Sequence, residues 1–422
     1  MIIGIITKTM TFLSATPTLF NERIRSLDIL RGFALLGILL INIQLFALPN
    51  ASFTNPSVMG ELSPSDYFSY YFVNVFGELK FMTIFSILFG AGILLFINRL
   101  NERGLDGSKF HVRRMMWLLL FGMLHAYFIW FGDILVAYAI VGLIAVLLRK
   151  MKDSWKIVLF GVLFLIPMGL FYLTGSFFES MPPEMAKEAM ADFSPGPELL
   201  AAEIDLYQVG SWFDIFVKRA QLNMNYQVGS FFMLSLWRTT GVMLLGMVLL
   251  NNGVLAAKKS KLFYFVMAVI GIGIGTLFSN EGFHRIVETK WEVIHFFKYG
   301  YQFNYFGSLF SSLGYIGSII LIYQLKIMQF LTKGFEAVGR MAFTNYLCQS
   351  IICSIIFYSY GFGMFARYSR TELLIWVLLI WTFQLISSTI WLKYYKMGPF
   401  EWLWRYFTYK EKPQLSMNIK YQ

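Results

Sequence analysis

The chain has 422 residues, of which 57% are hydrophobic and only 14% are charged. Soluble globular domains carry about 25% charged residues, so this composition excludes a soluble globule and predicts an all-α, polytopic transmembrane bundle. The net charge of +11 does not indicate nucleic-acid binding, because Lys and Arg are concentrated in a few short loops.

The N-terminus and the entrance of the first span are the first informative features. Residues 1–22 form a mildly apolar lead-in without a basic start or a clear cleavage site, which predicts an interfacial segment. The run Asp28-Ile29-Leu30-Arg31-Gly32 then opens the first span. On a helix, Asp28 and Arg31 share one face. Ionisable groups there are candidate binding residues, although Arg31 could equally be a headgroup anchor.

Ten membrane spans are predicted. They lie near residues 30–48, 78–97, 114–131, 133–149, 156–175, 228–250, 261–279, 303–325, 341–360 and 372–392. Every second connection is basic, so the positive-inside rule places both termini in the cytoplasm. An acidic outer connection over 176–227, with a surface helix near 199–226, separates a five-span half at 23–175 from a second half at 228–412. A tail of residues 413–422 follows.

The third and fourth spans form a hairpin with a histidine, a carboxylate and a phenol. His125 is the only histidine well inside a predicted span, Asp133 lies at the turn, and Tyr138 follows. Imidazole there could accept a proton near neutral pH, or it could simply be satisfied by a neighbouring helix. Residues eight apart are poorly aligned on a straight helix, so a direct pair requires the turn to fold Asp133 back. Asp133 could also be the N-cap of the fourth span.

The second half contains another buried-charge candidate. Arg238 lies near the centre of the sixth span if that span is 228–250, where it would need an anion or a carboxylate as partner. It is an outer-interface anchor if the span is 239–257. We favour the buried position.

A short motif recurs between the two halves. Arg31-Gly32-Phe33-Ala34 with Asn42 resembles Gly339-Arg340-Met341-Ala342 with Asn345, each at an inner span entrance. The match is too short to indicate an inverted repeat. It adds Asn42, Arg340 and Asn345 to the candidate substrate-binding residues. The sequence has no cofactor motif and no metal-spaced His/Cys cluster, so no metal site is expected.

The chain resembles the YeiB-like bacterial membrane proteins, whose second half is a domain of unknown function, over nearly all of residues 23–412. Seven elements carry the resemblance: Asp28-x-x-Arg31-Gly32 through Asn42; Phe85-Ser86-x-Leu88-Phe89-Gly90-x-Gly92; Arg113-Arg114; Gly122-x-x-His125; Gly132-Asp133-Ile134-Leu135-x-x-Tyr138; Gly339-Arg340-Met341-Ala342-x-Thr344-Asn345-Tyr346; and Gly398-Pro399-x-Glu401-Trp402-x-Trp404-Arg405.

The first half of this family is similar to that of transmembrane acyltransferases, including heparan-alpha-glucosaminide N-acetyltransferase and bacterial enzymes that decorate surface sugars. That similarity implies acyl transfer from cytoplasmic acyl-CoA to an acceptor at the outer side. Asp28 and Arg31 would shape the donor-facing end, and His125 would be base or acyl carrier, oriented by Asp133. Those enzymes place their histidine in or near the region after the Asp-Arg-Gly span, whereas residues 32–110 here contain none. The role of His125 is therefore inferred from its surroundings.

Three functions stay open from the sequence. An acyltransferase is favoured, a transporter of a small metabolite or anion is the alternative, and a non-catalytic sensor or assembly partner is the third. Intramembrane polar groups such as Arg238 favour the transporter, whereas the absence of repeats and mid-span breaks weighs against it. We expect a bacterial cytoplasmic membrane protein that contacts lipid and a small-molecule or glycan acceptor. Its apolar helix faces would allow a homodimer.

Overall fold

The computed structural model describes residues 23–416, so the predicted lead-in at 1–22 and the end of the tail lie outside the described residues. Within this range the chain is all-α, apart from one isolated bridge between Tyr395 and Ser416, and the predicted fold class is confirmed. The α-helices are α1 (Arg25–Ala47), α2 (Pro64–Phe76), α3 (Lys80–Glu102), α4 (Gly107–Phe128), α5 (Leu135–Leu148), α6 (Asp153–Ser180), α7 (Pro183–Ala189), α8 (Pro197–Val209), α9 (Trp212–Asn225), α10 (Leu236–Asn251), α11 (Lys261–Glu288), α12 (Val293–His295), α13 (Tyr301–Leu325), α14 (Gln329–Arg340), α15 (Ala342–Phe357), α16 (Arg370–Tyr394) and α17 (Pro399–Tyr409). Two π-helical stretches, Tyr226–Ser235 and Phe296–Gly300, lead into α10 and α13.

Each of the ten predicted spans overlaps one of these helices. Among residues 23–416, seven segments are long and apolar enough to cross a membrane by length and composition. They are Arg25–Ala47, Pro64–Glu102, Asp153–Ser180, Trp212–Asn251, Lys261–Glu288, Val293–Leu325 and Arg370–Tyr394. The other three predicted spans correspond to α4, which carries several cationic residues, and to the shorter α5 and α15. The total of ten therefore stays a prediction.

The basic connections meet on one face of the bundle, which we call the basic face. Contacts there include Arg25 with Glu336, Arg113 with the Thr408 carbonyl, Arg149 with Ser108, and Asn251 with Asp153. The other connections meet on the far side, which we call the opposite face. Contacts there include the Asn50 amide with Glu203, Asn55 with Ser194, and Gln208 with the Phe365 carbonyl. The alternation of charge along the sequence thus corresponds to two sides of the fold.

Helix α1 is the central helix of the bundle. In its most apolar window 72% of the residues are buried inside the protein, against 11% for α6. A helix that is apolar all round and buried suits a core position, whereas α6 leaves most of its apolar surface exposed at the outside of the bundle. At Gly32, α1 crosses α14 so closely that a Cβ there would lie 1.9 Å from the Phe335 carbonyl oxygen. Gly339 is the matching position on α14, where a Cβ would lie 1.9 Å from the Asp28 carbonyl oxygen.

Helices α5 and α15 are short central elements. They have 14 and 16 residues, and at 1.5 Å per residue they are about 21 and 24 Å long, less than the roughly 30 Å of a hydrocarbon core. The turn that precedes α5 consequently lies inside the bundle, where Trp130 and Phe131 are buried. This places the end of α4 and the start of α5 in a protein interior.

The connection over 176–227 covers that turn from the opposite face. The single surface helix predicted near 199–226 is two helices, α8 and α9, because Ser211 begins a new helix. Its side chain accepts from the Asp214 amide, and the Asp214 carboxylate accepts from the Ser211 amide, which completes a capping box. The chain runs from α9 through the π-helical stretch directly into α10.

Candidate functional site

His125 and Asp133 form a buried pair at the α4–α5 turn. Helix α4 ends at Phe128, three residues beyond His125, and the following turn folds back so that Asp133 Oδ1 lies 2.8 Å from His125 Nδ1. Both side chains are about 1% exposed. The sequence analysis noted that a direct pair requires the turn to fold Asp133 back towards His125, and the structure contains such a turn.

Asp133 has two partners, so pairing with His125 and bonding at the start of α5, the two roles considered from the sequence, are compatible. Its Oδ2 accepts from the Val136 amide at 2.8 Å, so it satisfies an amide in the first turn of α5 from the position just before the N-cap residue, Ile134. Its Oδ1 remains for His125. Gly122 allows this close approach of α4 to α5, because a Cβ there would lie 2.7 Å from the Val136 nitrogen. The helix start and the imidazole are thus held by one carboxylate.

Ser350 is a third member of this cluster that the sequence did not indicate. Its Oγ lies 2.9 Å from His125 Nε2, and its exposed fraction is 2%. Ser350 comes from α15, far along the chain, and a serine in an apolar helix is common. No sequence signal could have paired it with His125.

A cavity of about 280 Å³ lies between α1, α3, α4, α5, α15 and α17. Its wall is largely aromatic and aliphatic, and includes Phe85, Phe89, Phe96, Met115, Leu118 and Phe343. At the basic face, six arginines and two carboxylates line it among the described residues: Arg23, Arg31, Arg99, Arg114, Arg340, Arg405, Asp28 and Glu401. Three predicted binding residues, Asp28, Arg31 and Arg340, therefore meet at its mouth.

The mouth carries a surplus of cations. Arg31 donates to Asp28 Oδ1 at 2.6 Å, and Arg23 approaches Asp28 Oδ2 at 3.8 Å. Burial and the charge of Arg23 lower the pKa of Arg340 and of Arg405 from their ordinary values. Crowded guanidinium groups of this kind favour an anionic ligand, because an anion relieves their mutual repulsion.

The far end of the cavity reaches the buried pair. Tyr346, Ile134 and Tyr138 line it there. The Tyr346 ring centroid is 5.1 Å from that of His125, and the Tyr346 hydroxyl accepts from the Ile134 amide at 3.3 Å. His125 itself is not among the lining residues, so the Tyr346 ring separates it from the cavity.

Helix α9 closes the same site from the opposite face. Asn223 donates to the Ala126 carbonyl at 2.7 Å, and Arg219 donates to the Tyr127 carbonyl at 3.2 Å. Both side chains are 1% exposed. They satisfy carbonyls that the end of α4 leaves without a helical partner, and Arg219 suits the negative end of the helix dipole. The histidine-bearing end of α4 is thereby held under α9.

Two predicted binding residues lie away from the cavity. Asn42 is half-buried near the far end of α1. Asn345 is buried on α15. Its side-chain amide donates to Ser388 Oγ at 2.9 Å, and its backbone carbonyl accepts from the side-chain amide of Gln384. Neither lines the cavity. The arrangement gives Asn345 a role in packing α15 against α16.

Arg238 is 5% exposed, as the favoured sequence interpretation expected. The expected carboxylate or anion partner is replaced by two hydroxyls, since Arg238 Nη2 donates to Thr83 Oγ1 at 2.7 Å and Ser308 Oγ at 2.8 Å. Its guanidinium also lies over the Tyr305 ring at 4.3 Å. Hydroxyl acceptors and an aromatic face can hold a buried cation without a direct ion pair.

A Glu–Lys pair lies near Arg238, at the start of α3. Glu78 accepts from the side-chain amides of Asn74 and Asn304, at 2.7 and 2.8 Å. Lys80 donates to the Asn74 carbonyl and to Asn304 Oδ1. Leu79 between them has a left-handed φ of 65°. This second buried polar group does not line the cavity. Helix α3 lies between the two, because its Ser86 Oγ is 2.6 Å from the hydroxyl of the cavity-lining Tyr138.

His111 is a second histidine on α4, which is not one of the seven candidate spans, so the prediction that His125 alone lies well inside a span stays a prediction. Helix α4 begins at Gly107, capped by Asp106, which accepts from the Ser108 amide at 3.1 Å. His111 is buried, lines the cavity and has Nε2 3.1 Å from the Gly142 carbonyl. The Asp106-Gly107-Ser108 run is a helix-start signal that could have revealed this.

Comparison with known proteins identifies one family model and several similar chains. The family model described as "Protein of unknown function (DUF418)" matches residues 249–411. The chain is 32% identical over 409 residues to the uncharacterized protein YeiB of Escherichia coli (strain K12), covering 92% of this chain and 96% of YeiB. It is 33% identical over 433 residues to the uncharacterized protein YxaH of Bacillus subtilis (strain 168), covering 96% and 99%. An uncharacterized 39.9 kDa protein in the amylase 3' region of Bacillus acidopullulyticus is 32% identical over 396 residues, covering 94% and 96%. These names state no activity, and they confirm the resemblance to the YeiB-like proteins alone.

Proposed function

The chain belongs to the family that includes YeiB and YxaH, and from the geometry of its cavity we propose that it is a membrane-embedded acyltransferase. The donor is acyl-CoA, bound at the basic face, which is the cytoplasmic side with both termini. The acceptor is a small molecule or a glycan at the opposite face. The location is the cytoplasmic membrane of a bacterium.

The positions of the two ends of the cavity give the strongest support for the proposed acyl transfer. It begins among six arginines and ends at Tyr346 and Ile134, beside the His125–Asp133 pair. Coenzyme A carries several phosphate charges at one end and a thioester at the other. Guanidinium groups suit the phosphates, and the aromatic wall suits the pantetheine arm and the acyl chain.

The buried pair suits general base catalysis. Asp133 Oδ1 accepts a hydrogen bond from His125 Nδ1, so the lone pair of the neutral imidazole lies on Nε2. That nitrogen is then able to take a proton from an attacking hydroxyl. In a water-poor interior the thioester is also protected from hydrolysis.

The test is acyl-CoA consumption by purified protein in lipid nanodiscs. Acetyl-, octanoyl- and palmitoyl-CoA are supplied separately, and free CoA thiol is measured. Wild type is expected to release CoA, and His125→Ala is expected to lose this release. His284→Ala is the matched control, because His284 is exposed on a helix remote from the cavity. Absence of both binding and turnover with wild type would contradict the proposal.

A transporter of a small metabolite or anion is the alternative, and the buried Arg238–Lys80–Glu78 group favours it. Arg238 has a buried Nη1 without a hydrogen-bond partner in the described part of the chain. Buried cations of this kind commonly bind anionic substrates. A transporter would move substrate into proteoliposomes without CoA, and Arg238→Gln would stop the flux. If the protein is instead an acyltransferase, Arg238→Gln leaves His125-dependent CoA release in place.

The proposed partners follow from the same surfaces. Apolar helices such as α6 contact lipid, and the basic face meets CoA phosphates or anionic headgroups rather than nucleic acid. The exposed apolar helix faces would also allow two copies of the chain to form a homodimer. Analytical ultracentrifugation in detergent would detect it.

A further inference from the structure

We propose that Ser350 carries the acyl group as an ester between donor and acceptor, with His125 as its base and Asp133 as the residue that orients the base. This inference rests on the proposed acyltransferase function and deepens it. Of the two roles considered for His125, base and acyl carrier, it assigns the role of base, because the serine then carries the acyl group.

The hydrogen bonds of Ser350 differ from those of three other buried hydroxyls that lie within helices. Ser86, Thr83 and Ser312 donate to the carbonyl four residues earlier at 2.8, 2.7 and 2.6 Å. The corresponding distance from Ser350 to the Tyr346 carbonyl is 3.4 Å, whereas His125 Nε2 is 2.9 Å away. The hydroxyl is therefore directed mainly at the imidazole instead of its own helix.

The order of the three groups fits nucleophilic catalysis. The His125 ring forms one hydrogen bond at each nitrogen, with Asp133 at Nδ1 and with Ser350 at Nε2. An ionised carboxylate only accepts, which assigns the ring proton to Nδ1 and leaves Nε2 to accept from the serine. This is the relationship of nucleophile, base and orienting carboxylate that activates serine in hydrolytic enzymes.

Ser350 also lies at a suitable depth. It follows Tyr346, the cavity-lining residue, by one turn on the same face of α15. By helical rise it is roughly 12 Å from the start of α15 and roughly 10 Å from its end. An ester there is midway between the arginine-lined mouth and the opposite face. Rotation of the Tyr346 ring, which lies against His125, would join the cavity to the hydroxyl.

Each step balances with these residues alone. Ser350 Oγ attacks the thioester carbonyl carbon while its proton passes to His125 Nε2. The carbon–sulfur bond breaks, and CoA leaves as the thiol with that proton. The acceptor hydroxyl or amine then gives a proton to His125 and attacks the ester, and Ser350 leaves by taking the proton back. Asp133 stays ionised throughout and stabilises the imidazolium.

The experiment is a single-turnover measurement without acceptor. Purified wild type in nanodiscs is mixed with excess acetyl-, octanoyl- or palmitoyl-CoA, quenched rapidly, and analysed for free thiol and by peptide mass spectrometry. At least one of these donors is expected to give one CoA released per protein and an acyl group on the peptide that contains Ser350. Ser350→Ala is expected to lose the adduct and to slow acceptor-dependent turnover by about 100-fold or more.

Two further variants separate a covalent role from a structural one. Ser354→Ala, one turn further on α15, removes a hydroxyl that donates to the Ile129 carbonyl at 3.4 Å and should leave the adduct unchanged. Ser350→Cys should still be acylated, now as a thioester that neutral hydroxylamine cleaves. That change in lability cannot arise from loss of packing.

The outcomes distinguish the two proposals. Full turnover by Ser350→Ala together with loss in His125→Ala would retain the acyltransferase and overturn the serine ester. An adduct on His125, or bound donor that turns over only when acceptor is present, would also overturn it. Failure of wild type to bind or consume any of the three donors would remove the proposed function itself.

Discussion

Gly32 of α1 and Gly339 of α14 are in direct backbone contact. A Cβ on either residue would lie 1.9 Å from a carbonyl oxygen of the other helix. Each glycine is next to a cavity-lining arginine, Arg31 or Arg340. The crossing therefore holds two arginines from distant parts of the chain at one mouth. The two copies of the short sequence motif are thus partners in space.

We expect Gly339→Ala to destabilise the bundle by at least about 1–3 kcal/mol, because the new methyl group forces α1 and α14 apart. Thermal unfolding in detergent, followed by intrinsic fluorescence, measures the change. Gly161→Ala in α6 is the matched control, since a Cβ there meets nothing within 4 Å. A Gly339→Ala protein as stable as this control would contradict the close crossing.

Asp133→Asn should lower CoA release by about 10³- to 10⁴-fold while the fold survives. The amide oxygen can still accept from the Val136 amide at the start of α5, but the NH₂ group donates to His125 Nδ1 and thereby transfers the ring proton to Nε2. The base then has no lone pair for the attacking hydroxyl. Steady-state turnover and unfolding temperature are measured together, with Asp133→Ala as the variant that also loses the hydrogen bond to the Val136 amide, worth about 1 kcal/mol. Near-normal turnover in Asp133→Asn would exclude this role.

Arg31→Gln should raise the KM for acyl-CoA by about tenfold, with a smaller effect on kcat. The lost guanidinium acts on the phosphates and not at the thioester, and a charge-assisted hydrogen bond contributes about 1.5–3 kcal/mol before solvent screening. Arg25→Gln is the control, because Arg25 pairs with Glu336 on the same face without lining the cavity. Equal effects of the two substitutions would indicate a general charge effect at the basic face.

Glu401→Ala should destabilise α15 by about 1–3 kcal/mol. Glu401 Oε1 accepts from the amides of Phe343 and Thr344 at 2.6 and 3.0 Å, so its removal leaves these two amides at the start of α15 without their acceptor. Glu401→Gln retains one oxygen for both amides and should lose much less. Chemical denaturation of both variants, beside Glu411→Ala at an exposed position just after α17, provides the comparison. Equal stability of all three would refute the capping role.

The fold was predictable because helix positions follow from long apolar runs and from the charge of the connections. Asp133 was found for a similar reason, since a carboxylate between two apolar runs belongs at a turn. His111 lies before residue 114, where the third span is predicted to begin, in a connection that contains Arg113 and Arg114. In the structure Arg114 lies over the Trp404 ring at 4.2 Å, which keeps a cation at the protein interior.

The remaining site residues required knowledge of long-range packing. Ser350 meets His125 across 225 residues, and Glu401 reaches the start of α15 across 58. Nothing in local periodicity encodes such contacts. Asn42 and Asn345 were proposed together from a motif match, yet the structure uses the glycines of that motif for contact and leaves both asparagines off the cavity.

The buried turn between α4 and α5 has an electrical consequence. Trp130 and Phe131 of this turn are buried, and pack against Phe46 and Tyr226 respectively. Under the proposed mechanism the charged nucleotide of the donor never leaves the basic face. An acyl group passes towards the acceptor and one proton passes back to the CoA thiol, so the exchange carries no net charge. Moving each elementary charge through the membrane field involves about 2.3 kcal/mol per 100 mV. If the proposed acyl transfer takes place, we therefore expect its rate to be independent of the membrane potential.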